Sequence, residues 1–422
     1  MLLINPALTL AAQVAMSVQP VPALGYWEGA IHLPGADLAI QINLLRVNDR
    51  ELQGYISIPA QMLKDSKLED IVVNLPEISF RMSGRIPGNP TFKGRVEGDA
   101  IKGDFTQGGY SFAFDLKYVG EAKPIVEASL PKGIAERYIT VGKSPWELPG
   151  TLTLPEGNGP FPAVVLVHGS GPNDRDERIG DSHTFRDIAW GLAEKGIAAL
   201  RYDKRTFVHG AKCAEQKNLT LNDETVDDAV LAVKLASQIQ EINSGKVFVI
   251  GHSLGGYALG RIAESATGAA GFVSLAGAAR PLEDLIQEQF SSKGLPENDM
   301  KKVNESVAKV KSKDLTADTS ELTFGVPASY WLDLRGYDPV ASLARAKRPV
   351  LILQGEADIQ VTMTDFALWK KGLSKAEHKS FPKLNHLFMP VEGKSTGMEY
   401  YAAGQSVDAS VIQTIAAWIK AH

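Results

Sequence analysis

A chain of 422 residues, 44% hydrophobic and 22% charged, has the composition of an ordinary globular protein and enough length for two or three domains. Its net charge of −5 gives no electrostatic reason to bind nucleic acid or an anionic membrane surface, and no segment is apolar for long enough to span a bilayer as a helix. The single cysteine, Cys213, excludes an intrachain disulfide, so the fold must rest on its core, and disulfide counting does not report the compartment.

Residues 1–24 stand apart from the rest. Met1 to Ser17 is mostly apolar, and Ala12 to Ser17 is rich in small residues, like a cleavage region. No Lys or Arg precedes Arg46, so the positive start of an export signal is missing. The stretch reads either as a remnant of such a signal, with the protein periplasmic or secreted, or as an N-terminal arm of a cytoplasmic protein.

Residues 25–119 alternate apolar and polar positions with period two. Eight candidate strands run from Tyr26–Leu33 to Tyr110–Tyr118, the fourth of them at Ile71–Leu75. Turn residues separate them, among them Pro34-Gly35, Pro87-Gly88-Asn89-Pro90, Gly98-Asp99 and Gly108-Gly109. Short strands at this spacing predict a small all-β domain, barrel- or sandwich-like. It carries no nucleophile–base pair, and its lone His32 reads as a strand-end residue. Residues 120–134, with Gly120, Pro124 and Pro131 and no periodicity, read as a linker.

From residue 135 to 422 the pattern changes. An opening hairpin, Arg137–Val141 with Glu147–Leu154, is followed by continuous apolar runs at Ala163–Val167, Ala198–Tyr202, Val247–Ile250, Gly271–Leu275 and Val350–Leu353. Strands buried on both faces read this way. Helical patterns alternate with them, at Phe185–Lys195, Asp223–Ile239, Tyr257–Ser265 and Val407–Ala421. The expected fold is a doubly wound, mostly parallel α/β sheet. About seventy residues separate the last two apolar runs, too many for a bare loop. That insert, about 280–347, contains the amphipathic segments Leu282–Ser291 and Asp299–Val310 and the aromatic Pro327–Leu334.

The run Val247-Phe248-Val249-Ile250 ends in Gly251-His252-Ser253-Leu254-Gly255, and an amphipathic segment follows. Strand, sharp Gly-x-Ser-x-Gly turn and helix would lift the Ser253 hydroxyl clear of the sheet. On this motif and its setting, residues from about 135 to 422 resemble the α/β-hydrolase fold family, within it bacterial carboxylesterases with an N-terminal β domain. The resemblance implies a helical cap at the insert and a triad in the chain order Ser, acid, His. The acid should follow a late strand. Val350-Leu351-Ile352-Leu353-Gln354-Gly355 runs into Glu356-Ala357-Asp358, and the family's spacing favours Asp358 with Glu356 in reserve. The histidine should follow the last strand, predicted at Ala376–Phe381, where His386 stands. His378, inside that strand, reads as a surface or packing residue.

The resemblance also implies an oxyanion hole made by the N–H of Leu254 and by that of Ser170, in the turn His168-Gly169-Ser170-Gly171-Pro172. His168 and His252 then read as structural. Two charged runs, Asn173 to Glu177 and Arg201 to Arg205, fit either an ion-pair brace for that turn or solvated loop charge. Tyr330 and Trp331 are candidates for the wall of a narrow substrate pocket. Gly142-Lys143-Ser144 and Gly393-Lys394-Ser395 fail as phosphate loops, because Arg137 and Phe388 occupy the position that needs glycine. No metal ligand set and no cofactor is expected. The function expected is hydrolysis of short-chain carboxylic esters by a serine esterase, with a small-molecule ester as partner and a homo-oligomer compatible. A peptidase or thioesterase of the same fold is the alternative, as is a protein directed to carbohydrate esters by its β domain.

Overall fold

The computed structural model describes residues 23–48, 51–61, 63–82, 88–123, 129–179, 182–292, 297–319, 322, 324–393, 395–401 and 404–422. Most of the expected N-terminal arm, and part of the expected turn at Pro87, lie outside the described residues. The chain divides into two compact units, 1–58 with 67–124 and 59–66 with 125–422.

The first unit is a closed antiparallel barrel of eight strands joined in sequence order. They are β1 (Gly25–Leu33), β2 (Ala36–Asn48), β3 (Glu51–Ile58), β4 (Leu63–Asn74), β5 (Glu77–Met82), β6 (Thr91–Glu97), β7 (Ala100–Gln107) and β8 (Tyr110–Gly120). β1 pairs with β8 to close it, with Trp27 opposite Tyr118. Period two sends Ile40, Ile42 and Leu44, and likewise Ile78, Phe80 and Met82, into the interior. Phe92 lies at its centre, with ring centroids 5.0 Å from Phe80, 4.8 Å from Phe105 and 5.2 Å from Phe114. β4 begins well before the expected Ile71. Its polar first half shows no alternation because positive φ at Asp65 (48°) and Asp70 (51°) and a register break between Glu69 and Val72 re-aim the side chains.

The second unit is built on an eight-stranded sheet in the order β18-β17-β16-β15-β11-β14-β10-β9. Its strands are β9 (Ile134–Val141), β10 (Leu148–Pro155), β11 (Phe161–Val167), β14 (Ala198–Tyr202), β15 (Ile242–His252), β16 (Gly271–Leu275), β17 (Val350–Gly355) and β18 (Glu377–Phe381). A two-residue pair, β12 (Arg178–Ile179) with β13 (Ser182–His183), lies outside it. β9 and β10 form the antiparallel hairpin, β10 also pairs antiparallel with β14, and the other ladders are parallel.

The helices are α1 (Thr184–Ala193), α2 (Arg205–Val208), α3 (Gly210–Glu215), α4 (Asp227–Ala236), α5 (Leu254–Ser265), α6 (Leu282–Ser292), α7 (Glu297–Lys311), α8 (Ala328–Leu334), α9 (Pro339–Arg345), α10 (Met363–Gly372) and α11 (Ala409–Ala421). Side chains of β11 alternate between two cores. Ala163, Val165 and Val167 join α4 and α5 on one face, and Val164 and Leu166 join α1 and α11 on the other. The predicted helix at Asp223–Ile239 is shorter, because a π-helical turn over Asn222–Val226 precedes α4. Helices α6 to α9 occupy the insert between β16 and β17. The chain leaves β11 for β14 on one side and returns to β15 on the other. The crevice at the carboxyl ends of β11 and β15 is therefore the natural ligand position. Among the described residues, no helix is long and apolar enough to cross a membrane.

Candidate active site

The end of β15 is buried, and the chain reverses sharply into α5. Ser253 sits at that reversal with φ 52° and ψ −112°, a conformation that non-glycine residues rarely adopt. Two close approaches require glycine beside it. A β-carbon on Gly251 would lie 2.4 Å from the Gly255 carbonyl carbon, and one on Gly255 would lie 2.3 Å from the Val167 oxygen. The Ser253 N–H donates to the Leu275 carbonyl at 2.9 Å, which ties the turn to β16. Leu254 opens α5, so its N–H is one of the helix donors with no intrahelical acceptor.

Asp358 and His386 meet. Nδ1 of His386 donates to Oδ2 of Asp358 at 2.7 Å, with both side chains almost fully buried. The carboxylate is fixed from behind. Its Oδ1 accepts from the N–H groups of Gln360 (2.7 Å) and Val361 (3.0 Å), and Oδ2 also accepts from Gln354 Nε2 at 3.0 Å. Glu356 does not reach the histidine, because its side chain is exposed and accepts from Ser380 Oγ at 2.7 Å. The His386 loop is shaped by Asn385, whose Oδ1 accepts from the N–H groups of Leu387 and Met389, both at 3.0 Å. His378 lies in β18 and packs edge-on against Phe366 at 6.1 Å.

The loop after β11 passes against the serine, since a β-carbon on Gly169 would lie 3.2 Å from Ser253 Cβ. The Gly169 N–H donates to Glu177 Oε1 at 2.7 Å. Glu177 Oε2 lies 2.9 Å from His252 Nδ1, and His252 Nε2 donates to the His386 carbonyl at 3.0 Å. One buried pair thus braces the glycine turn against the histidine loop, directly beside Ser253. Burial alone would lower the His252 pKa, but the Glu177 charge and hydrogen bond carry it above the ordinary value. Burial would raise the Glu177 pKa, but His252, with His168 and the Gly169 N–H, brings it below the ordinary value. Both directions favour an ionised pair. His168 is different. Its Nε2 donates to the Asp174 carbonyl at 3.0 Å, and burial outweighs Glu177 to bring its pKa down to about 4.

Both charged runs lie inside a bonded network, which decides between the two readings left open by the sequence. Arg175 grips Asp203 at 2.9 and 2.7 Å, and its N–H donates to the same carboxylate at 2.8 Å. Arg201 pairs with Glu136 and lies 3.2 Å from Asp176. Lys204 donates to Glu224 Oε1 at 2.6 Å and to the Gly169 carbonyl at 2.8 Å. Glu224 gave no signal in the sequence. It stands near the start of the helical pattern read at Asp223–Ile239 and belongs to no motif.

A cavity of 610 Å³ opens beside this constellation. Ser170 and Leu254 line it from the sheet domain, and Leu282, Phe324, Tyr330 and Trp331 line it from the insert. Among the described residues, no group of three or more His, Cys, Asp or Glu side chains converges as ligands for a metal ion.

A model of the alpha/beta hydrolase family matches residues 164–393. Esterase EstD of Thermotoga maritima is 44% identical over 295 residues, 68% of each chain. Two solved structures are more distant. Est1E from Butyrivibrio proteoclasticus is 15% identical, with a TM-score of 0.45 over 68% of this chain and 99% of its own. The esterase domain of a Rhodothermus marinus protein is 16% identical, with a TM-score of 0.42 over 68% of this chain and 98% of its own. The family match and the 44% identity settle the assignment: this chain belongs to the alpha/beta hydrolase family.

Proposed function

We propose that this protein is a serine carboxylesterase that hydrolyses short-chain carboxylic esters through an acyl-enzyme. Ester hydrolysis is the activity class, carried by family membership and by the 44% identity to an esterase. The finer reading rests chiefly on the buried 2.7 Å bond between His386 and Asp358 in a unit whose elbow carries Ser253.

Ser253 Oγ attacks the acyl carbonyl as His386 Nε2 takes its proton. The same imidazolium returns the proton to the departing alkoxide. Asp358 holds Nδ1–H, which fixes the tautomer and stabilises the cation. The N–H groups of Ser170 and Leu254 receive the oxyanion. Water repeats the sequence on the acyl-enzyme and restores the serine. The insert at about 280–347 acts as the cap of a catalytic region spanning 135–422. Residues 1–24, 25–119 and 120–134 are read as arm, β domain and linker. Tyr330 and Trp331, on the cavity wall, limit the length of the acyl chain.

A nitrophenyl ester series from two to sixteen acyl carbons, run beside aminoacyl anilides and acyl thioesters, tests this. Turnover should peak at about two to six carbons, and Ser253→Ala should lose more than about a thousandfold in kcat while folding normally. A peak at long chains would make the protein a lipase. Preference for anilides or thioesters would move it to the peptidases or thioesterases.

A further inference from the structure

We infer that Lys204, held by Glu224, is a positioning residue that orients and polarises the peptide supplying the Ser170 oxyanion donor. The inference rests on the reading of Ser170 just given. The Gly169 carbonyl and the Ser170 N–H belong to one planar trans peptide and point in opposite directions. The Lys204 ammonium donates to that carbonyl at 2.8 Å. With the longer bond from Asn173 Nδ2 at 3.3 Å, it therefore sets the direction of the N–H on the opposite side, and it is the closer and the charged donor of the two. It also draws electron density toward the carbonyl oxygen, which strengthens the N–H as a donor. The preceding peptide is committed elsewhere, its Gly169 N–H donating to Glu177 at 2.7 Å. The loop is thus pinned on both sides of Gly169, which leaves the Ser170 N–H as the group that faces substrate.

An ammonium at this depth needs a partner. Lys204 and Glu224 are 2% and 6% exposed, and Nζ donates to Glu224 Oε1 at 2.6 Å. The second oxygen of Glu224 accepts from the Tyr330 hydroxyl at 2.7 Å. Burial and the adjoining carboxylate both push the Tyr330 pKa up, so the hydroxyl keeps its proton and donates. Glu224 projects from the π-helical turn at Asn222–Val226, a distortion frequent at functional sites. Tyr330 belongs to α8 in the insert and lines the cavity. One carboxylate therefore joins the wall of the substrate cavity to the peptide that stabilises the transition state. An ion pair that merely filled space would have no reason to spend one ammonium bond on a backbone carbonyl beside the nucleophile.

The test removes both charges together, so that neither is left buried alone. Lys204→Met/Glu224→Leu should fold, keep KM within about threefold, and lose about a hundredfold in kcat on a short-chain nitrophenyl ester. Its affinity for a trifluoromethyl ketone, whose adduct places an oxyanion in the hole, should fall by a similar factor. Glu224→Gln retains the shape and an acceptor for Lys204, and should lose about tenfold in kcat. A merely structural pair would lower the melting temperature without splitting kcat from KM. Fluorophosphonate labelling separates the two layers of the argument. If Ser253 is labelled and the folded variants keep wild-type kcat and ketone affinity, the inference is overturned while the serine-esterase reading stands. If the wild-type protein is not labelled at Ser253, that reading fails, and the inference fails with it.

Discussion

The barrel and the sheet domain treat charge in opposite ways. Among the described residues, the barrel keeps its ions out of its interior. Arg95 pairs with Glu77 at 2.7 Å with both side chains more than half exposed, and His32 sits between Asp37 and Asp115 at its surface. The interior is filled by Trp27, a cluster of phenylalanines and aliphatic side chains such as Ile40, Ile42 and Leu44. The sheet domain buries ion pairs where β11, β14 and β15 end: Lys204 with Glu224, Arg205 with Asp228, His252 with Glu177. Desolvating such groups costs several kcal/mol each, and a well-packed apolar cluster would serve stability as well or better. The barrel shows that this chain can build an apolar interior. Lys204, Glu177 and His252 are therefore better explained by what they hold in place, the glycine turn and the histidine loop beside Ser253.

The largest effect should come from leaving one such ion alone. Asp228 accepts from Arg205 at 2.9 and 2.5 Å and is almost fully buried. Burial raises the Asp228 pKa even with the guanidinium in contact, so desolvation outweighs the pairing. Arg205→Ala should then destabilise the sheet domain by ~3–5 kcal/mol, and the charge-free pair Arg205→Met/Asp228→Leu should recover most of that loss. Hydrogen exchange read peptide by peptide would assign the change to one unit. A double variant no better than the single would mean that the pair itself stabilises the fold, and the contrast with the barrel would weaken.

The histidines sharpen the contrast through pH. His168 has its pKa lowered from 6.5 to about 4 by burial, so the unfolded chain binds more protons between those values. Its contribution to stability is complete above pH 6.5 and is lost as pH falls to about 4, ~3 kcal/mol in all. Asp174, raised to about 6 chiefly by burial, runs the other way over nearly the same window, so the measurement must be a difference. Relative to His168→Gln, the wild type should lose ~3 kcal/mol between pH 6.5 and 4 in urea titrations. His32 should behave oppositely. The hydrogen bond to Asp37 leads in raising its pKa, so its contribution is present below pH 6.5 and fades as pH rises through the raised value. Slopes of the same sign at both sites would break the comparison.

The asymmetry also explains what was legible in the sequence. Barrel strands and buried parallel strands announce themselves because apolar periodicity is local. The first half of β4 did not, since positive φ at Asp65 and Asp70 erases the alternation that marks a strand. The pairing of His386 with Asp358 rather than Glu356 could be anticipated because the fold imposes an order and a spacing on those loops. The ion network could not. A lysine at 204 and a glutamate at 224 look the same in a sequence whether solvated or buried. Their meeting with a tyrosine 106 positions beyond Glu224 exists only once β14, the π-helical turn and α8 are assembled. Proximity of the charged runs to strand ends was the usable clue, and it left both readings open.

The smallest effect is the one on which the comparison depends most. Glu77 and Arg95 are direct cross-strand partners on β5 and β6, the arrangement in which a barrel ion pair has its best geometry. Yet both side chains stand in water, which screens the attraction and leaves each ion solvated when the other is removed. A double-mutant cycle with Arg95→Ala and Glu77→Ala should therefore give a coupling of ~0.5 kcal/mol or less, and 1 M salt should abolish it because the screening length falls to about 3 Å. The same salt should leave the Arg205–Asp228 cycle nearly unchanged, since solvent ions do not reach a buried pair. If the Glu77–Arg95 coupling reached several kcal/mol, or survived the salt, exposure would not be what separates the two kinds of pair. Buried charge would then no longer distinguish the working edge of the sheet from the barrel surface.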